Sequence, residues 1–552
     1  MVPQMDTMPP TKTDSMLPES LQTIVHAIQT SEVLTPSGLR RIVREANIDA
    51  AELMPWSMFD HSPADSYGRR LVYDGGFFEM MVMSWCPGDV SAIHDHGHTQ
   101  WGAVQIFGPA EHAVFLVQNG EIRTLSRTNV KPGQIVYVGH DLVHQMGNRT
   151  ADARFLSFHL YGNHQRDHAI TADARLFDLN EGCIQRVDWG VFHALPERDI
   201  TSREPGPKPD FLTWLRNTVE IIRRVRTARL HHCDESDKDP DKLLADLFDK
   251  ERKQERRLLD DLSEQIDERG HAINGYFWKL LCRELSEAAL LQNDVLQTQP
   301  DEDSFSSYAE LYDAVIGRPC LAEFIAPYLG FCRERYDLDF ANSTLLSLGC
   351  GTGLMEHHIV TELGLKRENL IGIDISEAMI TVARRRIEAE IGDLLTLDPS
   401  VRVWDLAFGG LNVFQYLRHS DFETAVRKVA GVVKPGGYFL GDFITSDHIR
   451  WYPNLVYSED HTILSFRTPS LIEKDNYMYQ SSRIINVDFR NGMRITDEGA
   501  HERFLPPLTR VRHAFETAFN GTVDIYDAVS LEPIPREADT CPSTRYLVCA
   551  RN

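Results

Sequence analysis

The spacing of apolar positions changes twice along this chain. Between about 66 and 162 they fall in short runs rich in β-branched and aromatic residues: FFEMMVMSW, GAVQIFG, HAVFLVQ, GQIVYVG and ARFLSFHLYG. Turn signals such as PGD, QNGE and KPGQ separate the runs, and short strands at this spacing predict a sandwich or small barrel. A short helical stretch precedes them, over roughly 18–55. From about 208 to 340 apolar residues recur at helical intervals among dense charge, as in DFLTWLRNTVEIIRRVRTARL and DKLLADLFDKERKQERRLLDDLSEQI. From about 343 onward strands and helices alternate: TLLSLGCGTG ends a strand, LIGIDIS is a strand, EAMITVARRRIEAE a helix, VWDLAFGG a strand, DFETAVRKVAGVV a helix and GYFLGDF a strand. Such alternation predicts a parallel, doubly wound sheet.

The expected fold is multidomain. A tail and helices cover 1–60, an all-β small barrel or jelly roll 61–190, a helical linker 191–304, and an α/β doubly wound, Rossmann-like domain 305–552. A chain of 552 residues is too long for one core. The formal net charge of −24 disfavours a nucleic-acid partner, which needs a basic face. The nine cysteines are scattered and never form a CxxC pair, as expected of reduced thiols in a cytoplasm and of neither a disulfide framework nor a zinc ribbon. The N-terminus lacks the blocks of a signal peptide, and no apolar run approaches the roughly 18–20 residues that span a bilayer. A cytoplasmic protein with no membrane partner is the expectation. Oligomeric state is not legible.

Candidate chemistry begins at SAIHDHGHTQWGA, residues 91–103. His94 and His96, one residue apart, face the same way on a strand. His144, after the next group of strands, can join them inside an antiparallel barrel. Three neutral nitrogen ligands with open positions suit a divalent transition metal that also binds substrate and oxygen. The ligand set tolerates iron, nickel, cobalt or manganese. His98 follows a turn at Gly97 and is read as a supporting or exposed residue.

These residues resemble cysteine dioxygenase and the related thiol dioxygenases, which are cupin-fold enzymes. IHDHG with His144 matches their three-histidine iron site, and Gln100 stands where many cupins place a glutamate ligand. YGRRLV (67–72) aligns Arg69 with the arginine that binds the substrate carboxylate, with Tyr67 beside it. SFHLY reproduces the Ser-x-His-x-Tyr relay as Ser157, His159 and Tyr161. The resemblance covers roughly 60–165. It implies Fe(II), O2 as co-substrate, and oxidation of a carboxylate-bearing thiol to a sulfinate, with Tyr161 donating a hydrogen bond at the reacting centre. Animal members carry a cysteine near 101 that crosslinks to the tyrosine; here Trp101 and Gly102 occupy that stretch. The thiol stays open among cysteine, 3-mercaptopropionate and something larger.

The second site is the glycine loop of LLSLGCGTG. Gly349, Gly351 and Gly353 let the backbone turn sharply before a helix N-terminus with free N–H groups. Asp374 ends the next strand, where an acid accepts ribose hydroxyls. The series LxLGCGTG … IGIDIS … DLAFGGLNVFQYL … VKPGGYFLGDF resembles class I S-adenosylmethionine-dependent methyltransferases over about 305–552. The resemblance implies that the three glycines line the methionine and ribose part, Asp374 holds ribose, Asp393 faces adenine, and Asn412 to Tyr416 lie beside the transferring methyl. Tyr308 and Tyr312 resemble an aromatic lid. An acid usually stands two residues before the first glycine; Ser347 is there instead, so the amino-acid end of the cofactor is held differently. The strand-like segment 445–505 would cap a small-molecule substrate, with His461 and His501 as candidate bases.

The reading that joins both halves is a bifunctional enzyme of sulfur-metabolite biosynthesis acting on a small thiol or amino-acid-like substrate. Two alternatives stay open. The same iron site could run oxidative C–S bond formation, sulfoxide formation or cleavage of a larger substrate. Otherwise the barrel could be a ligand-sensing module that regulates the methyltransferase.

Overall fold

The computed structural model describes residues 17–31, 34–61, 65–150, 152–164, 170–188, 190–193, 195–231, 255–292, 303, 305–491 and 493–552. The expected tail before residue 17 and the charged stretch 232–254 lie outside the described residues. The chain divides into two compact units, Met1–Lys250 and Glu251–Asn552.

In the N-terminal unit, helices Glu19–Thr30 and Pro36–Glu45 bury Leu21, Ile24, Leu39 and Val43 in a cluster that includes Phe78, Trp101 and Phe158. A five-stranded sheet runs in the order Gly68–Asp74, Phe78–Trp85, Phe155–Gly162, Trp101–Ile106, Ile135–Gly139. A four-stranded sheet orders Lys208–Pro209, Glu121–Val130, Ala110–Gln118 and Val143–Gly147. Met81, Met83 and Val104 of the first share a core with Ala110, Val130 and Met146 of the second, so the two sheets enclose one interior. Both central strands of the first sheet, Phe155–Gly162 and Trp101–Ile106, are buried along their whole length. Within 191–304, strands Ile200–Pro205 and Lys208–Pro209 precede helices Phe211–His231, Glu255–Ser263 and Gly275–Gln292.

The C-terminal unit is built on a seven-stranded sheet: Ala389–Ile391, Leu370–Asp374, Leu345–Leu348, Trp404–Gly409, Val433–Ile444, Arg545–Arg551, Val523–Asp527. The first five are parallel and Arg545–Arg551 pairs antiparallel to both neighbours. The helix expected over 377–390 stops at Ala383, because Ala389–Ile391 leaves it to pair with Gly372–Asp374 as an edge strand. Residues 455–504 form a separate antiparallel sheet of four strands, Leu455–Tyr457, Ile463–Lys474, Tyr477–Asp488 and Arg494–Phe504. Ala309–Tyr336 is one helix of alternating α and π turns, long and apolar enough by length and composition to cross a membrane. It falls within the stretch 208–340 read as helical, and polar residues interrupt its apolar runs. Its Tyr328, Leu329 and Cys332 pack with Leu345, Phe408 and Leu440 of the sheet.

Candidate functional site

Three imidazoles meet inside the N-terminal unit. The ligand atoms of His94, His96 and His144 lie within 4.8 Å of one another, and all three residues are buried. His94 donates through Nδ1 to the Ala92 carbonyl at 2.8 Å, which leaves its Nε2 as a lone pair. The Nε2 atoms of His96 and His144 stand 3.1 Å apart. Burial holds His94 down at about 4 and drives His96 and His144 well below their ordinary value. All three are therefore neutral, the form a metal ligand requires. The donor set fits a divalent transition metal.

The His94–His96 pair is not on a regular strand, as the spacing suggested. Only His94 makes bridges, to His144 and Leu176. Asp95 is then drawn to Arg175, whose Nε and backbone N–H donate to the carboxylate at 2.5 and 2.8 Å. Gly97 turns the chain at φ +52, where a Cβ would sit 2.0 Å from the Ala172 carbonyl oxygen. This half-buried ion pair and the glycine turn fix His96. His98 lies in the turn, half-exposed, and Gln100 is exposed with its Oε1 accepting from the His164 N–H. A fourth histidine went unread: His112 Nε2 stands 2.8 Å from His144 Nδ1 and orients that ring from behind. Its partner lies 32 residues away, so only strand pairing reveals it.

Ser157, His159 and Tyr161 share one face of strand Phe155–Gly162, and their polar atoms form a chain. Ser157 Oγ lies 2.7 Å from His159 Nε2, and His159 Nδ1 lies 2.7 Å from Tyr161 Oη. Trp85, also missed, donates its indole N–H to Ser157 Oγ at 2.8 Å. Burial, then the charge of Arg69, holds His159 at about 3, so it is neutral and carries one ring proton. The serine oxygen has a second lone pair beside the one the indole fills, so two proton arrangements satisfy the series: Ser157 donating to His159 Nε2 and His159 Nδ1–H to Tyr161, or Tyr161 donating to Nδ1 and Nε2–H to Ser157. The Tyr161 ring lies 5.3 Å from that of His96. Burial raises the tyrosine's pKa far above ordinary, keeping it a donor.

Arg69, on the edge strand Gly68–Asp74, pairs across the sheet with Met83, which pairs with Ser157. Its Nη2 donates to Thr171 Oγ1 at 3.1 Å. Tyr67 accepts from the Val191 N–H at 3.3 Å, so its hydroxyl is partly engaged. Gly102 pairs directly with Tyr161, where a Cβ would meet the tyrosine ring at 2.7 Å.

In the C-terminal unit, Gly349, Gly351 and Gly353 have φ of +63, +53 and +73. A Cβ at Gly349 would strike Val413 at 2.1 Å, whereas the space at Gly351 is open. Asp374 receives the N–H groups of Gly351 and Ser376 at 2.9 and 3.0 Å. Asp393 caps a short turn through the Leu395 N–H. Asn412, buried at φ +55, follows the strand Trp404–Gly409. Tyr312 packs edge-on against Tyr308 and Phe305. The missing acid also has an answer: Ser347 Oγ donates at 2.6 Å to Glu356, a buried carboxylate on the helix Leu354–Glu362 that follows the loop. Burial pushes this carboxyl up to about 7. The sequence offered no signal, since Glu356 reads as an ordinary helix residue. His461 lies in an exposed turn, whereas His501 is buried.

Residues 11–165 match the family model for cysteine dioxygenase type I, and residues 345–437 that for a methyltransferase domain. The two halves of the chain thus match two different enzyme family models, cysteine dioxygenase type I and a methyltransferase domain. Among curated relatives, cysteine dioxygenase type 1 of Danio rerio is 24% identical over 160 residues, covering 27% of this chain and 78% of its own. Carboxy-S-adenosyl-L-methionine synthase of Sulfurimonas denitrificans is 30% identical over 114 residues, covering 20% of this chain and 48% of its own. A solved S-adenosylmethionine-dependent methyltransferase from Clostridium acetobutylicum aligns at 18% identity and a TM-score of 0.36, covering 45% of this chain and 99% of its own. The protein is an enzyme that pairs an oxidation domain with a methylation domain.

Proposed function

We propose that the N-terminal unit oxidises a small carboxylate-bearing thiol to its sulfinate, and that the C-terminal unit methylates a small molecule in the same sulfur-metabolite route. The observation that carries the first half is the continuous hydrogen-bonded chain from Trp85 to Tyr161, ending beside three neutral imidazoles. His94, His96 and His144 would hold Fe(II), which when bound lowers the thiol pKa and gives access to O2 chemistry. Arg69 would take the substrate carboxylate in a charge-assisted pair. Tyr161 holds its proton and offers it as a hydrogen bond at the reacting sulfur. Met81, Met83 and Val104 make the wall apolar and exclude water. Both atoms of O2 end on sulfur, which gives up four electrons while the thiol proton is released.

In the second half, the loop Gly349–Gly353 would cradle S-adenosylmethionine, with Asp374 at the ribose, Asp393 at the adenine and Glu356 at the ammonium. Asn412 and Tyr312 would lie beside the methyl group. Transfer needs in-line positioning of the acceptor against the sulfonium.

Anaerobically purified protein loaded with Fe(II) is offered carboxylate-bearing thiols, with and without S-adenosylmethionine, while oxygen uptake and product mass are followed together. A sulfinate that disappears in His96→Ala and Arg69→Ala supports the dioxygenase. Oxygen uptake without a gain of two oxygens, or none with any thiol, rejects it.

A further inference from the structure

The cap sheet of the C-terminal unit carries two arginines that, among the described residues, no carboxylate answers. Arg467, on strand Ile463–Lys474, is 3% exposed, and its guanidinium reaches only the Tyr308 hydroxyl at 3.4 Å and Ser465 at 3.5 Å while lying over Tyr452. Arg503, half-buried on strand Arg494–Phe504, donates from Nε to the Tyr416 hydroxyl at 3.0 Å and also bonds Tyr452, whose phenol burial would raise but the two arginines hold down at about 8. Among the described residues neither forms an ion pair. The acids nearby are already engaged: Asp442 by Arg545, Glu498 by Ser307 and Asn486, Glu502 by Lys474 and Asp497 by Arg483.

Strand register puts the two arginines on one face with further unused polar groups. Arg467 is opposite Ile484, two residues from Ser482 and four from Gln480. Ser482 is opposite His501 and Gln480 opposite Arg503. Gln480 Nε2 and His501 Nε2 are buried without a hydrogen-bond partner among the described residues, and Gln480 and His501 are themselves only 1% and 3% exposed. Burial, followed by the two arginines, holds His501 at about 4, so it faces them neutral. The same patch touches the cofactor end of the sheet: Tyr416 ends the turn after Asn412, and Gln415 Nε2 donates to the Phe504 carbonyl at 3.0 Å, tying that turn to the cap.

Buried guanidinium groups without an acid are unfavourable unless something else supplies the negative charge. Stacking on tyrosine rings answers only part of the desolvation. We propose that the methyl acceptor carries an oxyanion, held by Arg467 and Arg503 with Gln480 and His501 completing the contacts. The proposal rests on the methyltransferase reading above and names the acceptor's class. Carboxylate, sulfinate and phosphate share the required chemistry, and planar guanidinium groups pair with any of them.

The test uses the full chain in an Arg69→Ala background, so that the barrel's own arginine does not report. Protein saturated with S-adenosylhomocysteine is titrated calorimetrically with cysteine sulfinate, S-methylcysteine, phosphoserine and S-methylcysteine amide, which lacks the carboxylate. The expected result is binding of at least one oxyanion probe, weakened tenfold or more in Arg503→Met and in Arg467→Met, with S-adenosylhomocysteine affinity within twofold of the parent. Arg503→Met, the less buried site, serves if Arg467→Met fails to fold. The choice among anionic probes identifies the oxyanion. Equal binding by the variants, equal binding of the amide, or no oxyanion bound at all overturns the proposal. Failure of the parent to bind S-adenosylhomocysteine would instead reject the methyltransferase reading beneath it.

Discussion

Replacing Glu356 by glutamine tests how the glycine loop manages without its usual acid. Glutamine keeps an oxygen for the Ser347 hydroxyl, 2.6 Å away, but cannot ionise. In the wild type burial pushes the carboxyl from 4.5 to about 7. A group raised in this way stabilises the fold fully below its unfolded value, and the contribution is lost as pH rises through the folded one. A rise of that size corresponds to roughly 3 kcal/mol lost between about pH 4.5 and 7. Glu356→Gln removes this term, so the variant gains on the wild type by roughly 3 kcal/mol between pH 5 and pH 8. For a unit of this size that is a relative shift of roughly 6 °C in the melting transition. Scanning calorimetry of the full chain reads it, with the C-terminal transition identified by its response to S-adenosylhomocysteine. The cofactor's ammonium would favour the ionised carboxylate. Binding to the wild type at pH 6 should therefore release a proton, and the variant should bind about tenfold or more weakly. Parallel melting profiles from pH 5 to 8 would refute the buried carboxyl, and unchanged affinity its role toward the cofactor.

Trp85→Phe removes the donor that anchors Ser157 at the far end of the relay, and kcat for thiol oxidation should fall roughly tenfold while bound iron stays constant. An unchanged kcat would show that Ser157 orients His159 alone. His112→Ala should lower iron affinity roughly 10–100-fold, read by metal competition, because His144 loses the group behind its ring. Gly102→Ala forces a methyl group against the Tyr161 ring and should destabilise the N-terminal unit by about 1–3 kcal/mol in denaturant unfolding.

What the sequence made legible is what it stores locally. His94 and His96 are neighbours in the chain, Ser157, His159 and Tyr161 alternate along one strand, and the three glycines sit in one turn. Each pattern keeps its meaning without knowledge of the rest of the fold. Trp85, His112 and Glu356 do not. Trp85 meets Ser157 across 72 residues, and His112 meets His144 across 32, through strand pairing that no spacing records. Glu356 looks like any acid in the first turn of a helix until burial against Ser347 marks it. The early end of the helix at Ala383 has a similar origin, because tertiary pairing at the sheet edge overrides the helical pattern of 377–390. Arg467 and Arg503 were invisible for the same reason: an arginine in a strand reads as solvated until register turns it inward.

The glycine opposite Tyr161 also bears on the enzyme's history after synthesis. A tyrosine facing a cysteine can be modified slowly by its own chemistry, so that young and aged molecules differ. Facing Gly102, Tyr161 has no cysteine opposite it to bond. If the N-terminal unit oxidises a thiol, its iron-loaded progress curves should therefore start without a crosslinking lag.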